Sequence, residues 1–132
     1  MRAITLISAA LFLVGCADPN INFGNEDFHV VVQSGGTASA EGTVGHTSPA
    51  TEELKRVVID PTVHWKPSIT TYVPTIVFRN ADIEVLLQPQ TMILESNDGS
   101  GHFSQWVAPI QTSEFEKIRS LAIKDIGARA KK

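Results

Sequence analysis

Large apolar side chains recur at every second position in short runs through the C-terminal part of the chain, and one run of helical period closes it. KRVVID (55–60), TTYVPTIVF (70–78), DIEVLLQ (82–88), QTMILES (90–96) and HFSQWV (102–107) are strand length and rich in Val, Ile, Thr and aromatic residues. Such runs predict half-buried β-strands. The breaks carry turn chemistry: Asn80-Ala81-Asp82 has hairpin spacing, and Asn97 to Gly101 supplies residues that tolerate positive φ. Pro67 and Pro74 cannot donate to a ladder and belong at strand starts, edges or bulges. Towards the C-terminus Phe115, Ile118, Ala122 and Ile126 fall on one helical face. Ser113 and Glu116 have capping-box spacing, Gly127 follows the last periodic residue, and Arg129, Lys131 and Lys132 suit a helix C-terminus. The pattern predicts a mainly β, α+β fold: an antiparallel meander of about five strands, a small sandwich or partly open barrel, with one C-terminal helix.

Ahead of this β-rich domain (54–132) the pattern thins out. Phe28 to Gln33, FHVVVQ, has the β-branched content of a strand, but Ser34 to Glu53 is rich in Gly, Ser, Thr and Ala. Residues 28–53 therefore read as an isolated strand followed by a flexible linker. Residues 16–27 are polar with Pro19 and Gly24, and read as a tether. The strand is compatible with two roles. It can pair within its own domain, with 34–53 as a long loop, or it can add to the sheet edge of a partner through Phe28, Val30 and Val32.

The first 15 residues have a different character. Met1-Arg2 forms a minimal basic start, and Ala3 to Val14 is apolar except for Thr5 and Ser8. That length suits a signal h-region and falls short of the roughly 20 apolar residues a spanning helix needs. The run ends in Leu13-Val14-Gly15-Cys16, which resembles the lipobox of bacterial lipoproteins. The resemblance implies cleavage before Cys16, covalent lipid on its thiol and anchoring in a membrane. In Gram-negative lipoproteins an aspartate directly after the cysteine retains the protein in the inner membrane. Ala17 stands there and Asp18 follows, so the implied location is the outer membrane, facing the periplasm, in preference to the inner membrane.

Removing residues 1–15 takes Arg2 with it and leaves 10 basic against 14 acidic side chains in 117 residues. A weakly acidic chain lacks the basic stripe that nucleic acid demands. Cys16 is the only cysteine, so its lipidation leaves none for a disulfide. The domain is expected to be held by its core alone.

Candidate chemistry is sparse. Asp98, His102, Ser104, Gln105 and Trp106 lie close together in sequence, but no G-x-S-x-G elbow surrounds Ser104. His29, His46, His64 and His102 form no H-x-x-x-H pair, so no metal is expected. Asp82 and Glu84 alternate onto one strand face, the pattern a small cell-wall or glycan-acting enzyme could use and equally that of a half-exposed strand. The expectation is a non-enzymatic, membrane-anchored envelope lipoprotein that serves as a protein-binding or assembly subunit. Its candidate contact residues are Phe28, Val30, Val32, Trp65 and Trp106, and it uses no cofactor beyond the lipid on Cys16. The alternatives are the glycan-acting enzyme and a small-ligand binder with a dry cavity near Trp65 or Trp106.

Overall fold

In the computed structural model, which describes residues 19–97 and 103–130, Gly35 and Gly36 take φ of 59° and 82°. Two successive positive φ angles make the tight turn that joins β1 (Phe28–Ser34) to β2 (Thr37–Val44). The chain then forms α1 (Pro49–Val58) and a two-residue strand β3 (Lys66–Pro67). A meander follows: β4 (Ile76–Arg79), β5 (Ile83–Gln88), β6 (Thr91–Asn97) and β7 (Phe103–Pro109). Helix α2 (Thr112–Ala130) ends it. Every strand pair is antiparallel, and the order across the sheet is β2-β1-β4-β5-β6-β7-β3. The strands therefore form one open antiparallel sheet, with β2 and β3 at its edges, in the mainly β fold with a C-terminal helix that the pattern predicts.

Both helices pack on one face. Beneath them lie Val30, Phe78, Val85 and Leu94 in one rank across the strands and Val32, Ile76, Leu87 and Met92 in the next, all fully buried. Leu54, Val57 and Val58 of α1 and Phe115, Ile118, Ala122 and Ile126 of α2 close this core from above. Period-two alternation on the strands and the helical stripe on α2 thus bury one continuous apolar layer.

The region 28–53 departs from the isolated strand and flexible linker expected of it. Strand β1 is hydrogen-bonded on both sides, to β2 and β4, and its Phe28, Val30 and Val32 are 0% exposed. They are core residues, not partner contacts. Strand β2 has almost no large side chain because α2 lies against it: a Cβ on Gly42 would meet Ile126 Cγ2 at 3.0 Å. Residues 49–58, part of them expected in a strand, form α1 instead. Ser48 Oγ accepts the Thr51 N–H at 3.3 Å, and Pro49 occupies the first helical turn. Asp125 of α2 reaches across to accept the Ala50 N–H at 2.8 Å, placing a carboxylate at the positive end of the α1 dipole.

The segment before β1 is pinned to the domain rather than running free as a tether. Ile21 and Phe23 pack against the core, Phe23 meeting Phe28 edge-on at 6.5 Å. Asn80 Nδ2 donates to Phe23 O at 2.8 Å, and Gly24, with φ of 66°, lies against Asp82. Asp27 is the clasp. One carboxylate oxygen accepts the His46 N–H at 3.0 Å and lies 3.3 Å from His46 Nδ1, and the other accepts from Arg129 Nη2 at 3.0 Å. These donors, the His46 backbone first, hold the Asp27 carboxyl below the usual carboxylate range.

Candidate functional site

The face of the sheet away from the helices has its own order. Val31, Val77, Leu86, Ile93 and Val107 stand opposite one another in register across β1, β4, β5, β6 and β7. A sheet packed on one side only would leave such a rank in water. Here Ile93 is 0% exposed, and Val77 and Leu86 are also buried. The connection from β3 to β4, residues 68–75, covers them by crossing the face from the outer edge to the centre, with Tyr72 packed on the apolar rank.

Side chains and backbone hold this strap at both ends. Ser68 N–H donates to Gln105 O at 2.9 Å, and Gln105 Nε2 donates to Thr70 O at 2.6 Å. At the other end Gln88 Nε2 donates to Val73 O at 2.8 Å, Thr75 N–H to Leu87 O at 2.8 Å, and Gln33 N–H to Thr75 O at 2.7 Å. Pro74 lacks the N–H a ladder requires, and the run TTYVP is not the strand its alternation predicts. With Tyr72 turned inward, Ile69 and Val73 point outward and are 103% and 76% exposed. The sequence pattern treated Val73 as a strand residue and passed over Ile69. Pro74 was the available signal.

Two residues along the strands lies a charged rank: His29, Arg79, Glu84 and Glu95 on β1, β4, β5 and β6. Arg79 Nε donates to Glu84 Oε2 at 3.0 Å. Glu95 stands directly opposite Glu84, and its carboxyl is raised above the ordinary value, mainly by burial and then by the Glu84 charge. Asp82 is exposed in the β4–β5 turn, outside the strand in which alternation with Glu84 was expected. Asp82, Glu84 and Glu95 line one shallow depression of about 160 Å³.

The other candidate residues are dispersed. Trp65 and Trp106 are half-buried against the main core. His29 Nε2 lies 3.7 Å from Glu41, His46 joins the Asp27 clasp, and His64 is exposed near Asp60 and Glu114. Among the described residues no three metal-ligating side chains converge. Ser104 lies on β7, while Asp98 and His102 fall outside the described residues. So do Leu13, Val14, Gly15 and Cys16. No described helix is long and apolar enough to cross a membrane. No protein-family model matches the chain, and neither a curated protein nor a solved structure is significantly similar to it.

Proposed function

We propose that the chain is a lipid-anchored envelope protein whose β-rich domain binds another envelope protein and performs no catalysis. Covalent lipid on Cys16 would hold it to the outer membrane, facing the periplasm. The observation that carries the binding role is the strap. Four large apolar side chains are strongly exposed among the described residues, and two of them, Ile69 and Val73, stand together on one segment fixed at both ends. Exposed apolar side chains on a pre-ordered support lose little freedom on contact, which favours binding.

Crosslinking pull-downs from membranes expressing tagged wild type, Ile69→Asp/Val73→Asp and Cys16→Ser test this role. A stoichiometric envelope protein captured by wild type and lost with the strap variant, while the fold is unchanged by circular dichroism, supports it. Equal capture by both removes the strap from the function. Unchanged membrane fractionation of Cys16→Ser overturns the anchor.

A second role rests on Glu84 and Glu95, which stand opposite each other on β5 and β6, Glu84 also accepting from Arg79. Two carboxylates facing each other across one depression are the arrangement glycosidic cleavage uses. Turnover of cell-wall glycan by the purified domain, abolished in Glu95→Gln, would replace the binding role.

A further inference from the structure

We infer that the end of the domain carrying the Asn80–Asp82 turn lies against the phospholipid headgroups, with the strands rising away from the bilayer and the Pro89-Gln90 turn at the far end. The inference rests on lipidation of Cys16 and follows from how little chain is left free. Among the described residues Ile21 is the first whose side chain packs on the core, and Phe23 and Glu26 accept from Asn80 Nδ2 through their carbonyls. Ile21 is five residue steps from Cys16, and a fully extended chain spans at most about 3.5 Å per step. The anchored cysteine therefore stands within roughly 18 Å of the packed segment. A free tether running to residue 27 would allow about twice that.

The first strand begins where this segment ends, so the attachment marks one end of the sheet. At that end lie the β4–β5 turn, the His46 loop that closes β2, and the last turn of α2, joined to Asp27 through Arg129. Strand β5 leads directly from Ala81 to Gln90, and its six residues hold those turns about 20 Å apart.

The surface turned to the bilayer suits headgroups and not hydrocarbon. Asn25, Glu26, Ala81 and Asp82 are exposed there, and among the described residues the exposed large apolar side chains, Ile59, Ile69, Val73 and Ile123, are all in other segments. The charges are mixed, with Asp27 and Arg129 already satisfying each other. Apposition is therefore imposed by the short chain and not by affinity for lipid. The domain lacking its lipid should not bind vesicles.

The test uses the lipidated protein in vesicles of phosphatidylethanolamine and phosphatidylglycerol. Cys16 is the only natural cysteine and is consumed by lipid, so a cysteine placed at Ala81 or Gln90 is the single free thiol. Each variant, Ala81→Cys and Gln90→Cys, is labelled with an environment-sensitive fluorophore and quenched by headgroup nitroxide lipid. Quenching at position 81 should exceed that at position 90 several-fold. Inserting a 12-residue Gly/Ser linker after Asp18 should abolish the difference, and Cys16→Ser should not float with vesicles. Equal quenching in protein that floats, or stronger quenching at position 90, overturns the orientation and leaves the anchor intact. Failure of the unsubstituted protein to float overturns the anchor and the orientation with it.

Discussion

Phe28 tests most directly whether β1 belongs to the core. Its side chain is 0% exposed and meets Phe23 edge-on at 6.5 Å and Phe78 at 6.0 Å. Truncating a buried phenylalanine to alanine costs about 3–5 kcal/mol through lost transfer energy and the cavity left behind. Two lost aromatic pairs place Phe28→Ala in the upper part of that range. Unfolding entropy near the midpoint is about 2.1 cal/mol/K per residue, or roughly 0.24 kcal/mol/K for the chain from Ala17 onward. A loss of about 4 kcal/mol then lowers Tm by roughly 17 °C, and is a large share of the stability of a domain this size. The control is His29→Ala, one residue along, half-exposed on the opposite face, and expected to change stability by no more than about 0.5 kcal/mol. Thermal melts followed by far- and near-ultraviolet circular dichroism give both values. A Phe28→Ala protein that melts within a few degrees of wild type but loses its partner would refute the buried assignment and make β1 a docking strand.

Three further outcomes follow from single contacts. Asp27 is held below its ordinary value of 3.8, so its pairing contributes fully above that pH and is lost as pH falls through the folded-state value. Asp27→Asn should lower Tm at neutral pH and flatten the acid limb below about pH 4, and parallel Tm-against-pH curves for the two proteins would dismiss the clasp. Gly24 combines φ of 66° with close approach to Asp82, so Gly24→Ala should lose about 1–2 kcal/mol in chemical denaturation, relieved in part by Asp82→Ala. A neutral Gly24→Ala would show that the segment is not held there. Gly127 lies inside α2, with open space where its Cβ would stand, so Gly127→Ala should gain about 1 kcal/mol, and a loss would contradict the exposed placement.

The strands β4 to β7 and helix α2 were legible because their burial is written as a period. Ile83, Val85 and Leu87 alternate into the core, and Phe115, Ile118, Ala122 and Ile126 follow the helical repeat. Strand β2 escaped notice for a physical reason: it is built from small residues because Ile126 occupies the space above Gly42, and composition alone resembles a linker. Helix α1 was hidden by its Val57-Val58-Ile59 ending, although Ser48, Pro49 and the spacing of Ala50, Leu54, Val57 and Val58 carried the signal. The helix α2 passes through Gly127 to Ala130 because that glycine does not take the positive φ of a terminating residue. The strap could not be foreseen from pattern. Tyr72 and Val73 alternate as a strand would, and only the three-dimensional path from β3 to β4 shows that they bridge other strands instead of joining them.

The clasp at Asp27 also makes the domain nearly a closed ring. Arg129, one residue from the end of α2, meets the residue that precedes β1, while the Gly35-Gly36 turn stands at the opposite end with no atom crowding either glycine. A circular permutant joined through a short linker between residues 130 and 19 and opened between Gly35 and Gly36 keeps every strand pair. The same geometry decides where cargo can be attached. A reporter joined beyond α2 would stand beside the start of β1 and the Asp27 clasp, whereas one inserted at Gly35-Gly36 would stand at the opposite end of the sheet.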